Sequence, residues 1–590
     1  MRRNLLRLFL LFVCLLSVAL FPISQSARIT LIHTSNIYGN VLPYDFALNN
    51  YEPKGLVHIA SFIERFRYFD NSDVLVIDTG NFLFGSPFGD YFVETGSVEN
   101  PVLEMMNKAG YDFLVPGTLE LSLGKSKLEQ LLKKAKANTI AANLVGELQS
   151  AMGYQIKTFS NGLKIGVIGV VVPYGNFKYA DYINSVRTNL EKLKKESPDL
   201  IILATSGGIT YDPISGNQIA LKSNLNIGDL LIKEFSKDVD VFLLGNQSFV
   251  YTGKSKNKVY SLADAEGRSL NEINIYFSKT EGKWKITSIN IKNVSLTSYN
   301  FYNHYLDAIQ PYESKVQQWL SETILKSEWS IGFHKYLCIL EDSFLNEIVN
   351  KAIINYAKTQ MGIWNIFNPN FEGIIEGNIT RRDLYSLVGK TTTIKAVQMS
   401  GNDIKEILKK NMKYISYDGS KIILAKELVA KPWLYDIFEN IFYDVVVNKG
   451  ELRYLLYNGQ PLNEKAMYLV SVPSIRTYGT EPLTKGKVVS DIEVPVQHIL
   501  FANIKNTIGG DSINKLSDKN RTTSLLMEYV VSAGDTLKRV SYRLNVKEEE
   551  LLSLNPVIKD PNLLRPGWKL YYYKNYFELV PPIREFFDVK

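Results

Sequence analysis

The sequence predicts a multidomain α/β protein, and three features of its pattern predict it. Short apolar strands alternate with helical stretches from Arg28 to about Ser330. A second block with its own helices, strands and turns covers 331–527, of α+β character. Residues 528–574 then read strand, helix, helix, strand, leaving a tail at 575–590. A chain of 590 residues is too long for one core, and 45% apolar with 22% charged residues is the composition of folded protein. The formal charge of +7 is mild, and Arg2, Arg3 and Arg7 lie in a segment expected to be removed. That excludes nucleic acid as a partner class and leaves only an unspecific attraction to anionic polymers.

Residues 1–26 read as a signal peptide: a basic start, the apolar run LFLLFVCLLSVALFPI, then Ser24 and Ser26 at the spacing for cleavage after Ser26. An uncleaved anchor is the competing reading, although the run is shorter than the ~20 residues of a spanning helix. Cys14 lies inside that run, so after cleavage only Cys338 remains and no internal disulfide is possible. The expected location is therefore outside the cytoplasm, periplasmic or at the cell wall.

In 27–330 the strands are ITLIH, VLVID (74–78), FLVPG (113–117), LKIGVIGVVV (163–172), LIILATS (200–206) and VDVFLLG (239–245). Helices are expected at Gly55–Tyr68, Pro101–Ala109, Lys125–Ala137 and Asn184–Glu196. A polar β-rich section follows at Lys258–Val294, and Tyr302–Ser327 reads as a connecting helix. The second block offers a helix at Ser343–Lys358, a turn at Asn368-Pro369-Asn370, and Ile404, Ile407 and Leu408 at the spacing of one helix face.

Function is read from the turns that end the strands, because ligands of open α/β sheets bind beyond the carboxyl ends. In chain order these are Thr34-Ser35-Asn36-Ile37-Tyr38-Gly39, Asp78-Thr79-Gly80-Asn81 leading to Gly85-Ser86-Pro87, Gly117-Thr118-Leu119-Glu120, Ser206-Gly207-Gly208 and Gly245-Asn246-Gln247-Ser248. The series resembles the metallophosphoesterase motifs of the 5'-nucleotidase/UDP-sugar hydrolase family: T-N-D-x-H-G, D-x-G-D-x-x-x-G-S-P, G-N-H-E, a His two residues before a Gly, and G-H-S-H. The resemblance implies a layered α/β domain whose loops hold two metal ions that activate water. Here the frame is kept, but the ligand and catalytic slots hold Asn36, Tyr38, Asn81, Thr118, Leu119, Ser206, Asn246 and Ser248. Asp78 alone keeps a motif acid among the slots placed for metal. None of His33, His58, His304, His334 and His498 falls in a slot.

The second block resembles the C-terminal domain of the same family. Counted back from Gly377 and Thr380, Phe371 stands where the family's N-x-G-G-I-R turn has Arg, and Asn368-Pro369 replace the glycines. For the family's G-G-D-G-Y/F clamp two segments compete, Ser471–Thr480 by order and Gly509-Gly510-Asp511-Ser512-Ile513 by letters, the latter equally a plain turn. Phe442 and Tyr443 are as well explained by core packing as by base stacking.

The last unit has a strand at Tyr529–Ser532, Asp535 as cap of a first helix, Asn545 with Glu548 opening a second that buries Leu551 and Leu554, and a closing strand Trp568–Tyr573. It resembles a LysM module over its whole length. The resemblance implies a groove between Gly534-Asp535-Thr536-Leu537 and Asn555-Pro556-Val557-Ile558 for N-acetylglucosamine units of peptidoglycan or chitin. The functional expectation is an exported, wall-associated relative of the 5'-nucleotidases without catalysis, metal or cofactor. Two alternatives stay open: an active metal-dependent phosphohydrolase with an atypical site, and an adhesin or assembly factor with a protein partner.

Overall fold

The computed structural model of the chain describes residues 25–70, 73–97, 99–144, 146–479, 481–483, 485–510, 512–513, 521–576 and 587–589. The segment expected to be a signal peptide therefore lies outside the described residues, except Gln25 and Ser26. Among the described residues no helix is long and apolar enough to cross a membrane. The chain forms two compact units: Met1–Tyr44, Tyr51–Asn217 and Leu225–Tyr312 in the first, and Asp45–Asn50, Gln218–Asn224 and Glu313–Lys590 in the second.

In the first unit, β1 (Gln25–Thr34) is followed by α1 (Leu56–Phe69), β2 (Asp73–Asp78), α2 (Pro101–Ala109) and β3 (Phe113–Leu114). The sequence states why α2 sits where it does. Asn100 accepts a hydrogen bond from Leu103 N at 3.0 Å, Pro101 takes the first turn where no N–H is needed, and Gly110 ends the helix in the left-handed region. A seven-stranded sheet runs Lys283–Ser295, Ser269–Thr280, β1, β2, β3, Asn138–Ile140, Ala151–Met152. β1 and β2 are parallel with Thr34 opposite Asp78, so the turns after them start side by side.

Further along come β4 (Lys164–Val170), α3 (Tyr182–Lys195), β5 (Leu200–Thr205) and β6 (Val241–Leu244), the centre of a six-stranded sheet in the order Tyr251–Ser255, Lys258–Leu262, β6, β5, β4, Tyr154–Thr158. β4 and β5 are continuous apolar runs, almost wholly buried, as parallel strands covered on both faces are. The two sheets are tied by His33, whose Nδ1 lies 2.7 Å from Ser261 Oγ and Nε2 2.9 Å from Thr79 Oγ1. Burial drives the pKa of this imidazole down to about 3, so it is a neutral core residue.

The expected connecting helix at Tyr302–Ser327 is corrected. It is two helices, Asn303–Ile309 and Glu313–Leu320, parted by a 3-10 turn at Gln310-Pro311-Tyr312, and Thr323–Ser327 is a strand. Pro311 removes the amide a continuous helix needs.

The second unit holds α4 (Phe344–Ala357), α5 (Arg381–Val388) and α6 (Gly401–Met412). α6 opens on a reciprocal cap, Ser400 N donating to Asp403 Oδ2 at 3.0 Å and Asp403 N to Ser400 Oγ at 3.1 Å, and buries Ile404, Ile407 and Leu408. A five-stranded sheet of this unit contains β7 (Phe442–Val446), β8 (Glu451–Tyr457) and β9 (Arg521–Val530). Then come α7 (Leu537–Leu544), α8 (Glu548–Leu554) and β10 (Lys569–Asn575), which with β9 give the β-α-α-β order the sequence predicts.

Details of this last module differ from expectation. Its first strand begins at Arg521, well before Tyr529. Asp535 is occupied by Tyr529 Oη at 2.6 Å and Ser532 N at 2.8 Å, so the next residue, Thr536, caps α7 by accepting from Arg539 N. Asn545 ends α7 in the left-handed region instead of opening α8, which starts after Lys547 without a side-chain cap. Leu551 enters the core as expected, with Leu552 beside it in place of Leu554.

Candidate functional site

The motif loops at the strand tips of the first unit are joined by backbone pairing. Asn36 N donates to Gly80 O, Tyr38 N to Asn81 O and Gly39 N to Phe82 O, each at 2.8 Å, so the first two motifs lie alongside each other. Asn36, Tyr38, Asn81 and Asn246 all have φ between 54° and 60°. Side chains seldom accept this left-handed conformation, and Asn is the type that tolerates it best. The motif glycines make the close approaches possible: a Cβ on Gly117 would stand 2.3 Å from Asn81 Oδ1, and one on Gly245 2.5 Å from Thr79 O.

Into this frame the chain puts amides. Asn81 Nδ2 donates to Asn36 Oδ1 at 3.0 Å and to Asn246 Oδ1 at 3.3 Å. Asn81 Oδ1 in turn accepts from Leu119 N at 3.0 Å and Thr118 Oγ1 at 3.3 Å, and Thr118 also reaches Asn246 Oδ1 at 3.2 Å. Asn36 Nδ2 donates to Gln247 O at 3.1 Å, and the hydroxyls of Tyr38 and Ser248 pair at 3.2 Å. Asn36, Asn81, Thr118, Leu119 and the loop of Asn246 and Ser248 thus come together as one largely buried neutral network. Ser206 does not join it; its Oγ accepts from Val172 N at 3.1 Å.

The acids that the motifs retain serve the backbone. Glu120 accepts from Asn81 N at 2.7 Å, Gly117 N at 2.8 Å and Leu83 N at 2.9 Å, clamping the second loop to the third. Asp78 takes Thr34 Oγ1 at 2.6 Å and Gly80 N at 2.7 Å. Both are fully buried, which raises their pKa; for Asp78 burial wins over its hydrogen bonds and pushes it up to about 8. Sequence reasoning missed these clamping roles and that of Gln247, whose side chain holds both backbone groups of Ile209. A carboxylate three residues after a loop glycine was the available signal for Glu120.

A dinuclear metal centre does not fit this donor set. Two divalent ions ~4 Å apart repel by roughly 16 kcal/mol at an effective dielectric of 20, four times the unit-charge product on each pair. Carboxylates between them offset that, and carboxamides carry no charge to do so. Among the described residues no group of three or more His, Cys, Asp or Glu side chains is placed to hold a metal ion.

In the second unit, Phe371 packs against Phe333 with ring centroids 5.5 Å apart, and Asn368 Nδ2 donates to Ser386 O at 2.8 Å. Both are structural contacts. Gly509 is the left-handed cap of the helix Val496–Ile508, and Asp511 lies outside the described residues. Arg476, in the competing segment, is buried in a bidentate pair with Asp436 at 2.9 and 3.0 Å. Tyr443 is fully buried and Phe442 half-buried.

In the last module, Leu537, Asn555 and Ile558 are buried, and Leu537 and Ile558 belong to one small core with Val540, Leu551 and Leu570. Gly534, Thr536, Pro556 and Val557 are exposed, and Asp535 is half-buried. Asn555 fixes its loop to β10: its Nδ2 donates to Tyr571 O at 2.8 Å and its Oδ1 accepts from Tyr571 N at 2.7 Å.

Comparison with known proteins agrees with this anatomy. Residues 326–485 match the family profile of the 5'-nucleotidase C-terminal domain, and 529–571 that of the LysM domain. The chain is 21% identical over 543 residues to the 2',3'-cyclic-nucleotide 2'-phosphodiesterase/3'-nucleotidase of Salmonella typhimurium, covering 77% of this chain and 82% of that one. It is 22% identical over 585 residues to the trifunctional nucleotide phosphoesterase YfkN of Bacillus subtilis, spanning 84% of this chain but only 39% of that protein. A Staphylococcus aureus crystal structure described as a 5'-nucleotidase matches with TM-score 0.59 at 20% identity over 84% of this chain and 100% of that one. The NAD nucleotidase of Haemophilus influenzae matches with TM-score 0.55 at 16% identity over 85% and 99%. The chain thus carries a 5'-nucleotidase C-terminal domain at 326–485 and, at 529–571, a LysM domain suited to N-acetylglucosamine-containing glycans, and along most of its length it is similar to 5'-nucleotidases and cyclic-nucleotide phosphodiesterases.

Proposed function

We propose that this protein is an exported, cell-wall-associated member of the 5'-nucleotidase family that binds peptidoglycan or a similar N-acetylglucosamine polymer through its LysM domain and does not hydrolyse nucleotides. One observation carries the second half of this reading: the asparagines at the strand tips satisfy one another and Thr118, in the space where paired cations need carboxylates and imidazoles. Leu119 stands where the family's transition-state His belongs and has no proton to give. Export rests on the N-terminal pattern and on the use of a wall-glycan module. The alternative of an active phosphohydrolase draws on the enzyme names of the relatives.

The test is hydrolysis of 5'-nucleotides, 2',3'-cyclic nucleotides and UDP-sugars with added manganese, zinc or cobalt, run beside elemental analysis of the purified chain. No turnover and no stoichiometric metal are expected; turnover with tightly held metal overturns the reading. The glycan half is tested by peptidoglycan pull-down of the full chain against Val557→Asp, a substitution in the exposed second loop, which is expected to reduce retention.

A further inference from the structure

Strand β9 belongs to two pairings at once. Its first half is parallel to β7, with Tyr443 opposite Arg521 and Val446 opposite Ser524, and its second half is antiparallel to β10, from Ser524 opposite Asn575 to Val530 opposite Lys569. The LysM strands and the nucleotidase C-terminal strands are therefore one five-stranded sheet, in the order Gln460–Pro461, β8, β7, β9, β10. Directly paired residues share a face, which places Phe442, Asp444, Tyr454, Thr522, Ser524, Leu526, Tyr573 and Tyr571 on the same side. Contacts agree with the register: Asp444 Oδ1 accepts from Thr522 Oγ1 at 2.8 Å and Ser524 Oγ at 2.9 Å.

On that face the aromatic rings are joined. Arg453 lies over the rings of both Tyr454 (4.7 Å) and Tyr573 (4.4 Å), held by an ion pair to Asp444 at 2.6 Å and by Nη1 donating to Glu550 of α8 at 2.9 Å. Phe442 packs beside Tyr454 at 6.2 Å, and Tyr571 follows Tyr573 by one side-chain repeat. Tyr454 and Tyr571 are each 41% exposed. The strip runs into the LysM loop, because Asn555 of that loop is bonded to both backbone groups of Tyr571.

We propose that Phe442, Tyr454, Tyr573 and Tyr571 form a sugar-stacking strip that prolongs the LysM groove, so that the chain grips an N-acetylglucosamine polymer over more sugars than the LysM loops reach. The chemistry is that of amphipathic rings: the apolar C–H face of a pyranose packs on the ring and its hydroxyls stay hydrated or bond Tyr Oη. Continuity of strip and loop through Tyr571 selects the same polymer as occupant of both. The inference rests on the glycan-binding reading above.

Calorimetric titration of the full chain with the N-acetylglucosamine tetramer and octamer tests it. The octamer is expected to bind more tightly, and Tyr454→Ala/Tyr571→Ala to lower octamer affinity about tenfold while leaving tetramer affinity unchanged. Tyr454→Leu, which keeps apolar cover on Arg453 but removes the ring, is expected to lose part of the octamer gain with an unchanged melting temperature. Native chain and variants offer the octamer the same number of registers on the LysM loops, so the difference isolates the strip. An octamer bound no more tightly than the tetramer, or a gain that survives both variants, overturns the strip and leaves the glycan reading standing. Failure of both oligomers to bind overturns both.

Discussion

The strand-tip loops of the first unit and the LysM domain stand in different relations to the motifs they resemble. In the loops, the residues that match the family motif are those bonded to backbone or pressed against it: Glu120 on three amides, Asp78 on Gly80 N, Gly117 and Gly245 at contacts with no room for a side chain. The positions that differ are those whose family role is to hold metal. In LysM five of the eight motif positions are also building parts, Leu537 and Ile558 in the core, Thr536 as a helix cap, Asp535 holding Tyr529 and Ser532, and Asn555 as a clamp on β10. The difference teaches that the residues a backbone depends on can be separate from those that fill the remaining motif slots, as at the strand tips, or largely the same residues, as in LysM.

The sharpest way to break the comparison is to cut the chain after Leu526. If LysM were a tethered bead, the second unit would melt as before. The shared sheet predicts otherwise: the cut removes the last four residues of β9, all of β10 and the fully buried Tyr576, whose Oη accepts from Ile422 N at 3.1 Å. Loss of cooperative unfolding and rapid limited proteolysis of 331–526 are expected, and a normal melt would show the sheet to be dispensable.

Next in size is the conversion of the amide pair to acids. Asn36→Asp with Asn81→Asp sets two carboxylates where the amides now bond at 3.0 Å, a repulsion of about 5 kcal/mol at an effective dielectric of 20. The melting temperature at pH 8 should fall steeply and recover at pH 5 or with millimolar manganese. An unchanged melt would mean that the site is wetter than its burial indicates.

A smaller, paired measurement separates frame from slot. Glu120→Gln turns an amide N–H₂ toward backbone donors and should cost about 1–3 kcal/mol in chemical denaturation, whereas Asn246→Ala, in a slot position, should cost about 1 kcal/mol or less. Equal costs would erase the distinction drawn above.

The last measurement is a pH slope. The carboxyl of Asp78 titrates near 3.8 when unfolded and is pushed up to about 8 when folded, so between those values the native state keeps a proton that the unfolded state has lost. Its favourable contribution is full below about pH 4 and is lost as pH rises through 8. Asp78→Asn imitates the protonated form, with Nδ2 able to donate to Thr34 Oγ1. Its melting temperature should match the native chain at pH 4–5 and exceed it at pH 8–9; a constant difference across the range would refute the buried, protonated assignment.

The sequence by itself determined the alternation of strands and helices in the first unit, the caps of α2 and α6, the order of the LysM elements and the exchange of Asp and His for Asn36, Tyr38 and Asn81. Each follows from local rules, periodicity, capping residues and motif letters, that need only neighbours along the chain. Tertiary structure alone decided that the exchanged residues bond one another, because Asn36, Asn81 and Asn246 meet only when three strand ends are brought together. It also decided that Asp78 and Glu120 serve the backbone, and that LysM is fused to its neighbour through β9. The pattern of β9 reads the same whether its partner is β7, β10 or both, since alternation fixes the faces of a strand and says nothing of what pairs with its edges.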